Sequence, residues 1–208
     1  MLHTQTVEPR TLSLLKDLMA LPALKDFCLV GETALALKYG HRNSIDLEFF
    51  SYIPPDFMVI ERELQEKYGN EYVCEAEPKR IGIFCYIKGV KIDVVKYPHL
   101  PIAAYEIQDG LSMYGDPDLA AMKIQAILGR ARKKDFWDLF ELLQHYKLEQ
   151  IIEWHYQKYP SQLLAISIPN AITYFTEADA SDTPVSYKGQ TWAKVKKAIQ
   201  LAVREYLA

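Results

Sequence analysis

Near the start of the chain, Leu12, Leu15, Leu18 and Met19 recur at helical spacing with Leu14 alongside, which predicts an amphipathic helix over residues 8–20. Pro22 sits in the break after it. The apolar run Phe27-Cys28-Leu29-Val30 then reads as a buried strand that ends at Gly31, where a helix-like segment begins. Thr33–Tyr39 is expected to be helical, with Gly40 as the residue that ends it. The next run, Ser44–Phe50, alternates carboxylates with large apolar side chains. Strand side chains repeat with period two, so Asp46 and Glu48 share one face, while Ile45, Leu47 and Phe49 are expected to fill the other. Pro54-Pro55 stops this strand. Phe57, Ile60, Leu64 and Tyr68 mark one face of a second helix, closed by Gly69-Asn70.

Three strand-like runs follow, Glu71–Glu75, Arg80–Lys88 and Val90–Tyr97, with Lys88-Gly89 as a tight turn that pairs the last two as a hairpin. A single acid, Asp93, stands among Ile92, Val94 and Val95 in the last run. From Asp116 the pattern turns helical. Asp116-Pro117-Asp118 is expected to supply an N-cap, a proline at the first helical position and an acid in the first turn. That helix runs at least to Leu128, with Gly129 as a place where it bends or ends. Further helices are expected over Asp135–Tyr146, Leu148–Lys158, residues 161–175 and Trp192–Leu207, with Glu177–Gln190 as a polar loop. The predicted fold class is therefore α+β: a mixed-sheet core over residues 1–105 and a helical lobe over residues 106–208 packed on it.

Composition changes this picture little. The chain has 208 residues, half of them hydrophobic, which is enough for one compact domain or two small lobes. The net charge of −3 argues against a generic nucleic-acid coat but leaves room for a local basic site. Cys28, Cys74 and Cys85 lack the CxxC spacing of a metal or redox motif and read as reduced thiols. No apolar run approaches membrane-spanning length and no signal-peptide core opens the chain, so a cytoplasmic location without a membrane partner is expected.

The acids give the chain its candidate chemistry. Two carboxylates side by side repel one another unless a cation joins them, and they suit Mg²⁺. Asp93, on a different strand, completes a three-carboxylate set; alternatively it pairs with a neighbouring lysine or faces water. Ions held there would bridge nucleotide phosphates and activate a hydroxyl. Gly31 opens a helix, where free N–H groups suit phosphate, and Thr33 adds a hydroxyl. His41 and Arg42 precede the acidic strand and are expected to contact phosphate or a hydroxyl. In KIQAILGRARKKDFWD, a continuous helix would put Lys123, Arg130, Lys134 and Asp138 within a stripe of roughly 80°. Three cations on that stripe would neutralise a triphosphate, with Asp138 orienting one of them. If Gly129 splits the helix, the basic run becomes a loop beside the site and the stripe is lost. A solvated charged face is the plain alternative.

These segments together resemble the AbiEii/AbiGii-type nucleotidyltransferases, the toxin components of type IV toxin–antitoxin systems, within the DNA-polymerase-β-like superfamily. The resemblance lies in LVGETALALKYGHRNSIDLEFF, in the lone acid of VKIDVV, in AAMKIQAILGRARKKDFWDL, and more loosely in ITYF and TWAKVKKAI. It implies a nucleotidyltransferase core using Mg²⁺ (or Mn²⁺) and an NTP. By match to the motifs, Gly31 takes the phosphate-turn role, Asp46 and Glu48 hold metal, Asp93 is the third acid, Lys123 binds triphosphate, and Lys134-Asp135-x-x-Asp138 supports the site. The implied acceptor is an RNA such as tRNA, or a protein hydroxyl, and a cognate antitoxin is an implied partner.

Two positions depart from the family pattern. Glu32 replaces the second glycine of the Gly-Gly pair, setting an anion beside the phosphate turn unless it points away or reaches the metal. Glu48 replaces the second aspartate and is one methylene longer. Glu32 motivates a second reading, a binding module of the same fold that has lost turnover. A small-molecule nucleotidyltransferase is a third.

Overall fold

The protein is described from a computed structural model, whose described residues are 1–74 and 81–208. The outer ends of two expected strand runs, at Glu75 and Arg80, lie outside them. Helix α1 spans Pro9–Met19 and buries Thr11, Leu14, Leu15 and Leu18. Strand β1 is short, Cys28–Leu29, and α2 runs Gly31–Tyr39, starting two residues earlier than the sequence pattern indicates. Gly40 ends α2 in the left-handed conformation, φ +65°, with its N–H on the Ala36 carbonyl. A Cβ there would also run into the His3 ring at 2.6 Å, so both backbone and space call for glycine. Strand β2 covers Leu47–Ser51 and α3 covers Phe57–Tyr68, capped by the Asp56 carboxylate, which accepts the Met58 and Val59 N–H groups.

Strands β3 (Tyr72–Cys74), β4 (Gly82–Ile87) and β5 (Val90–Lys96) follow. Both residues of the Lys88-Gly89 turn have positive φ, the geometry whose twist suits a two-residue hairpin, and β4 pairs antiparallel with β5. The sheet does not stop at residue 105. A second hairpin, β6 (Glu106–Gln108) and β7 (Leu111–Met113), joins its far side through β7, which lies parallel to β1. The seven described strands run in the order β3-β4-β5-β2-β1-β7-β6. The sequence pattern misses this second hairpin because its strands are three residues each, too short for alternation to register.

Leu47, Phe49, Ile83, Ile92 and Val94 are fully buried, forming the apolar face of the central strands. Burying Phe49 contributes on the order of 2–3 kcal/mol. Ile45, expected on that face, is instead 64% exposed, because β2 begins only at Leu47. Cys28 is a buried thiol outside any disulfide.

The helical lobe is built on α4 (Asp116–Arg130), α5 (Lys133–Leu142), α6 (Leu148–Lys158) and α9 (Trp192–Leu207). Gly115, not Asp116, is the N-cap of α4. Asp116 instead gathers Lys38 at 2.5 Å and the hydroxyls of Tyr39 at 2.5 Å and Tyr146 at 2.6 Å, tying α2 to the lobe. Burial alone would raise its pKa, but these partners hold it below the usual carboxylate value. Asp118 accepts the N–H groups of Ile102 and Ala103 and pairs with fully buried Lys158 at 2.5 Å, fixing the connection that leads into β6. Pro169 leaves only a short helix in the expected 161–175 stretch: α7 is Ile168–Thr173, with Pro169 in its first turn. Within the expected 177–190 loop, α8 takes Thr176–Asp179. Trp192 stacks on Trp137, ring centroids 5.9 Å apart, and seats α9 on α5. No helix among the described residues is long and apolar enough to cross a membrane.

His155 is buried in α6 with its Nε2 3.1 Å from Gln125 Oε1, and burial pulls its pKa down from 6.5 to about 4. A depressed histidine contributes stability that is complete above its unfolded pKa of 6.5 and is lost as pH falls toward about 4. Thermal melts between pH 7 and pH 4 are expected to show a shallower acid loss in His155→Gln, which keeps a polar partner for Gln125. Parallel pH profiles for the two proteins would contradict this.

Candidate active site

The acids of β2 and β5 lie side by side because the two strands run parallel in register, with Glu48 opposite Asp93. Asp46, just before β2, borders the same corner, where Lys134, Glu32, Lys91 and Asp93 are the charges that act on it. Burial raises the pKa of Asp46; Glu32 and Asp93 push it the same way, against Lys134 and Lys91. Burial likewise pushes Glu48 up to about 7, with Glu32 and Asp93 adding to the rise against Lys123 and Arg130. Lys91 pairs with Asp93 Oδ2 at 3.1 Å, while Asp93 Oδ1 is buried with no hydrogen-bond partner among the described residues. Lys91 is thus the neighbouring lysine of the alternative reading of Asp93, two residues before it on the same strand face.

As the side chains stand, no three Asp, Glu, His or Cys residues among those described form a group able to hold a metal ion. The donor chemistry of this corner nonetheless suits a hard divalent cation. It offers carboxylates without thiols, one buried carboxylate oxygen has no partner among the described residues, and Glu32 and Asp93 disfavour the charged forms of Asp46 and Glu48.

Gly31 meets two constraints at once. Its φ is +67°, and a Cβ there would lie 1.7 Å from Glu48 Oε2. The Glu48 carboxylate therefore packs directly on the glycine at the start of α2. Thr33, expected to face a phosphate, is turned inward: its buried hydroxyl donates to the Asp46 carbonyl and lies 2.8 Å from Ser44 Oγ. That contact fastens α2 to the entry of β2.

The continuous helix on which the Lys123–Asp138 stripe depended does not form. The break comes at Ala131, which has φ +40° and ψ 58°, rather than at Gly129, and α5 restarts at Lys133. The stripe is therefore lost, yet its four charged residues still converge, because the turn folds α5 back along α4. Asp138 is the centre. It accepts Arg42 Nε and Nη2 at 2.7 Å each, lies 2.7 Å from His41 Nε2, and pairs with Lys123 at 2.8 Å. Lys123 also holds Asp135 at 2.9 Å. Burial would raise the Asp138 pKa, but Arg42, Lys123 and His41 pull it well below the usual carboxylate range. His41 and Arg42, expected to contact phosphate, are thus buried partners of Asp138, and Arg42 also donates to the Asn43 carbonyl. A C-terminal segment covers them: Ser186 bridges to Arg42, and the Tyr187 N–H reaches the His41 carbonyl.

Glu32 points neither at solvent nor at an open phosphate turn. Its Oε1 lies 2.8 Å from Lys134 and 3.3 Å from Arg130, and its Oε2 lies 3.3 Å from Arg42. Arg130 also reaches Asp135 at 3.5 Å. Three carboxylates (Glu32, Asp135, Asp138) thus face four cations (Arg42, Lys123, Arg130, Lys134), with one positive charge in excess.

A mixed sheet carrying adjacent acids, flanked by helices that bring cations to them, defines an α+β fold of the nucleotidyltransferase type. The fold is similar to MenT4, a nucleotidyltransferase toxin from Mycobacterium tuberculosis H37Rv, with a TM-score of 0.52 at 15% identity over 91% of this chain and 83% of that one. A candidate nucleotidyltransferase from H. pylori matches with a TM-score of 0.51 at 15% identity over 97% and 99% of the two chains. Residues 13–162 match the family described as nucleotidyl transferase AbiEii toxin, type IV TA system, and the chain belongs to that family. An uncharacterized Aquifex aeolicus protein is 28% identical over 202 residues, covering 93% of this chain and 94% of its own.

Removing Asp138 would leave Arg42 and Lys123 buried without their central partner. Asp138→Ala is expected to cost about 3–5 kcal/mol in urea denaturation. A loss below about 1 kcal/mol would show that the network does not hold the lobe to the sheet.

Proposed function

We propose that the chain is a divalent-metal-dependent nucleotidyltransferase that moves NMP from an NTP to an acceptor hydroxyl. The observation that supports this reading is Glu48 opposite Asp93 on adjacent strands, with Asp46 just before β2, beside the cations of α4 and α5. Asp46 and Glu48 would hold Mg²⁺ (or Mn²⁺), with Asp93 completing the set; the ion, when bound, supplies charge neutralisation at the phosphates. The acceptor oxygen attacks the α-phosphorus, a new P–O bond forms, the bond to the β-phosphate bridging oxygen breaks, and pyrophosphate departs. Asp93, with its unpartnered Oδ1, takes or positions the acceptor proton. Arg130 and Lys134 offset the charge developing on pyrophosphate, and buried Lys123 fixes the acids that orient the turn bearing them. Family membership supports a toxin role, and with it a cognate antitoxin, an RNA acceptor such as tRNA and work in the cytoplasm.

A second reading, a module that binds nucleotide or RNA without turnover, draws support from Glu32, which already occupies the solvent-facing cations, and from the inward turn of Thr33. One assay separates the two. Purified protein is incubated with each labelled NTP, Mg²⁺ or Mn²⁺, and total tRNA or lysate. Wild-type protein is expected to transfer label, and Asp46→Ala to lose on the order of a hundredfold or more. Absence of transfer by wild type, with recovery in Glu32→Gly, would replace the enzyme reading with the degenerate module.

A further inference from the structure

The cations that face the acids differ in their freedom to move. Arg42 is 2% exposed at its side chain and gripped through two nitrogens by Asp138. Lys123, at 4%, is held between Asp135 and Asp138. Neither can turn toward a ligand without stripping a buried carboxylate of its partner. Arg130 and Lys134 are different: their side chains are 45% and 26% exposed, and they flank the α4–α5 turn. Both converge on one oxygen, Oε1 of Glu32. They are the movable cations of the cluster, and Glu32 already holds them.

We propose that Glu32 is a positioning residue that stands in for the nucleotide's phosphates, its carboxylate filling the anion seat made by Arg42, Arg130 and Lys134. This rests on the reading of the site as an NTP site. A carboxylate that gathers two guanidinium groups and an ammonium makes the charge-assisted contacts a phosphate oxygen would make. In the resting chain Glu32 offsets the repulsion among the cations and keeps their side chains over the acids. A triphosphate enters by taking Arg130 and Lys134 from Glu32, while Arg42 stays on Asp138. The same carboxylate adds to the repulsion on Asp46 and Glu48, so its retention costs the acidic corner as well. Resting affinity for a polyphosphate anion is therefore low, and it is set by competition between Glu32 and the ligand for the same two side chains.

The test is titration calorimetry with inorganic tripolyphosphate and no divalent cation, on the full chain. Wild type, Glu32→Gln, Glu32→Asp, the pair Arg130→Gln/Lys134→Gln, and that pair combined with Glu32→Gln are compared, with thermal melts confirming that each is folded. Glu32→Gln is expected to bind about tenfold tighter or better, a difference of about 1.4 kcal/mol. Glu32→Asp keeps the charge and is expected to bind as weakly as wild type. In the Arg130→Gln/Lys134→Gln background the gain from Glu32→Gln is expected to vanish, because it acts through those side chains. A gain that persists in that background overturns the proposal, since Glu32 would then act as a remote charge. Equal, measurable binding by wild type and Glu32→Gln overturns the proposal and leaves the NTP-site reading standing. No binding by any variant removes the anion seat and overturns the proposal, while the NTP-site reading is decided separately by the label-transfer assay with Mg²⁺ or Mn²⁺.

Discussion

The Asp138 carboxylate holds this structure in register. It is fully buried, and it accepts from His41 and Arg42 on the loop before β2 and from Lys123 on α4, while its own backbone belongs to α5. Three parts of the chain, far apart in sequence, are thereby pinned at one point. A buried charge has no alternative partners once water is gone, so every group that reaches it must arrive together. The position of the acidic strand relative to the α4–α5 turn follows from this contact. So does the covering strip at Ser186 and Tyr187, which closes over His41 and Arg42.

Around that fixed point the charges are arranged in two layers. The inner layer, Arg42 and Lys123 with Asp135 and Asp138, is buried and mutually satisfied, and serves as scaffold. The outer layer, Arg130 and Lys134 with Glu32, is partly solvated and able to exchange partners. Beyond it lies a corner that is not satisfied, where burial, Glu32 and Asp93 raise the pKa values of Asp46 and Glu48 and Asp93 Oδ1 has no hydrogen-bond partner among the described residues. Folding tolerates that strain because the opposite face of the same strands is apolar and fully buried. A concentration of unfavourable like charge on an otherwise well-packed sheet points to chemistry rather than architecture.

Much of the fold was legible along the chain. The 3.6-residue spacing of Leu15, Leu18, Ile60 and Leu64 announced α1 and α3, Gly40 announced the end of α2, and Lys88-Gly89 announced the β4–β5 hairpin. The β6–β7 hairpin was legible only through its Asp109-Gly110 turn, because two three-residue strands carry too few side chains to show a period. A break near Gly129 was legible, but not its place at Ala131, because alanine is a strong helix former. The charged residues of KIQAILGRARKKDFWD do meet, but through that turn rather than along one helical face.

Sequence alone marked Glu48 among apolar neighbours on one strand and Asp93 on another, because the side-chain period of a strand is two whatever surrounds it. It also marked Glu32 as the odd residue at the glycine turn. Only the tertiary structure decided what that oddity does. Whether a carboxylate faces metal, solvent or a cation depends on side chains ninety or more positions away, Arg130 and Lys134, which local spacing cannot bring into view. The same reason hid the inward turn of Thr33 and the burial of Arg42: a phosphate ligand and a buried ion-pair partner look alike until the neighbours that compete for them are in place.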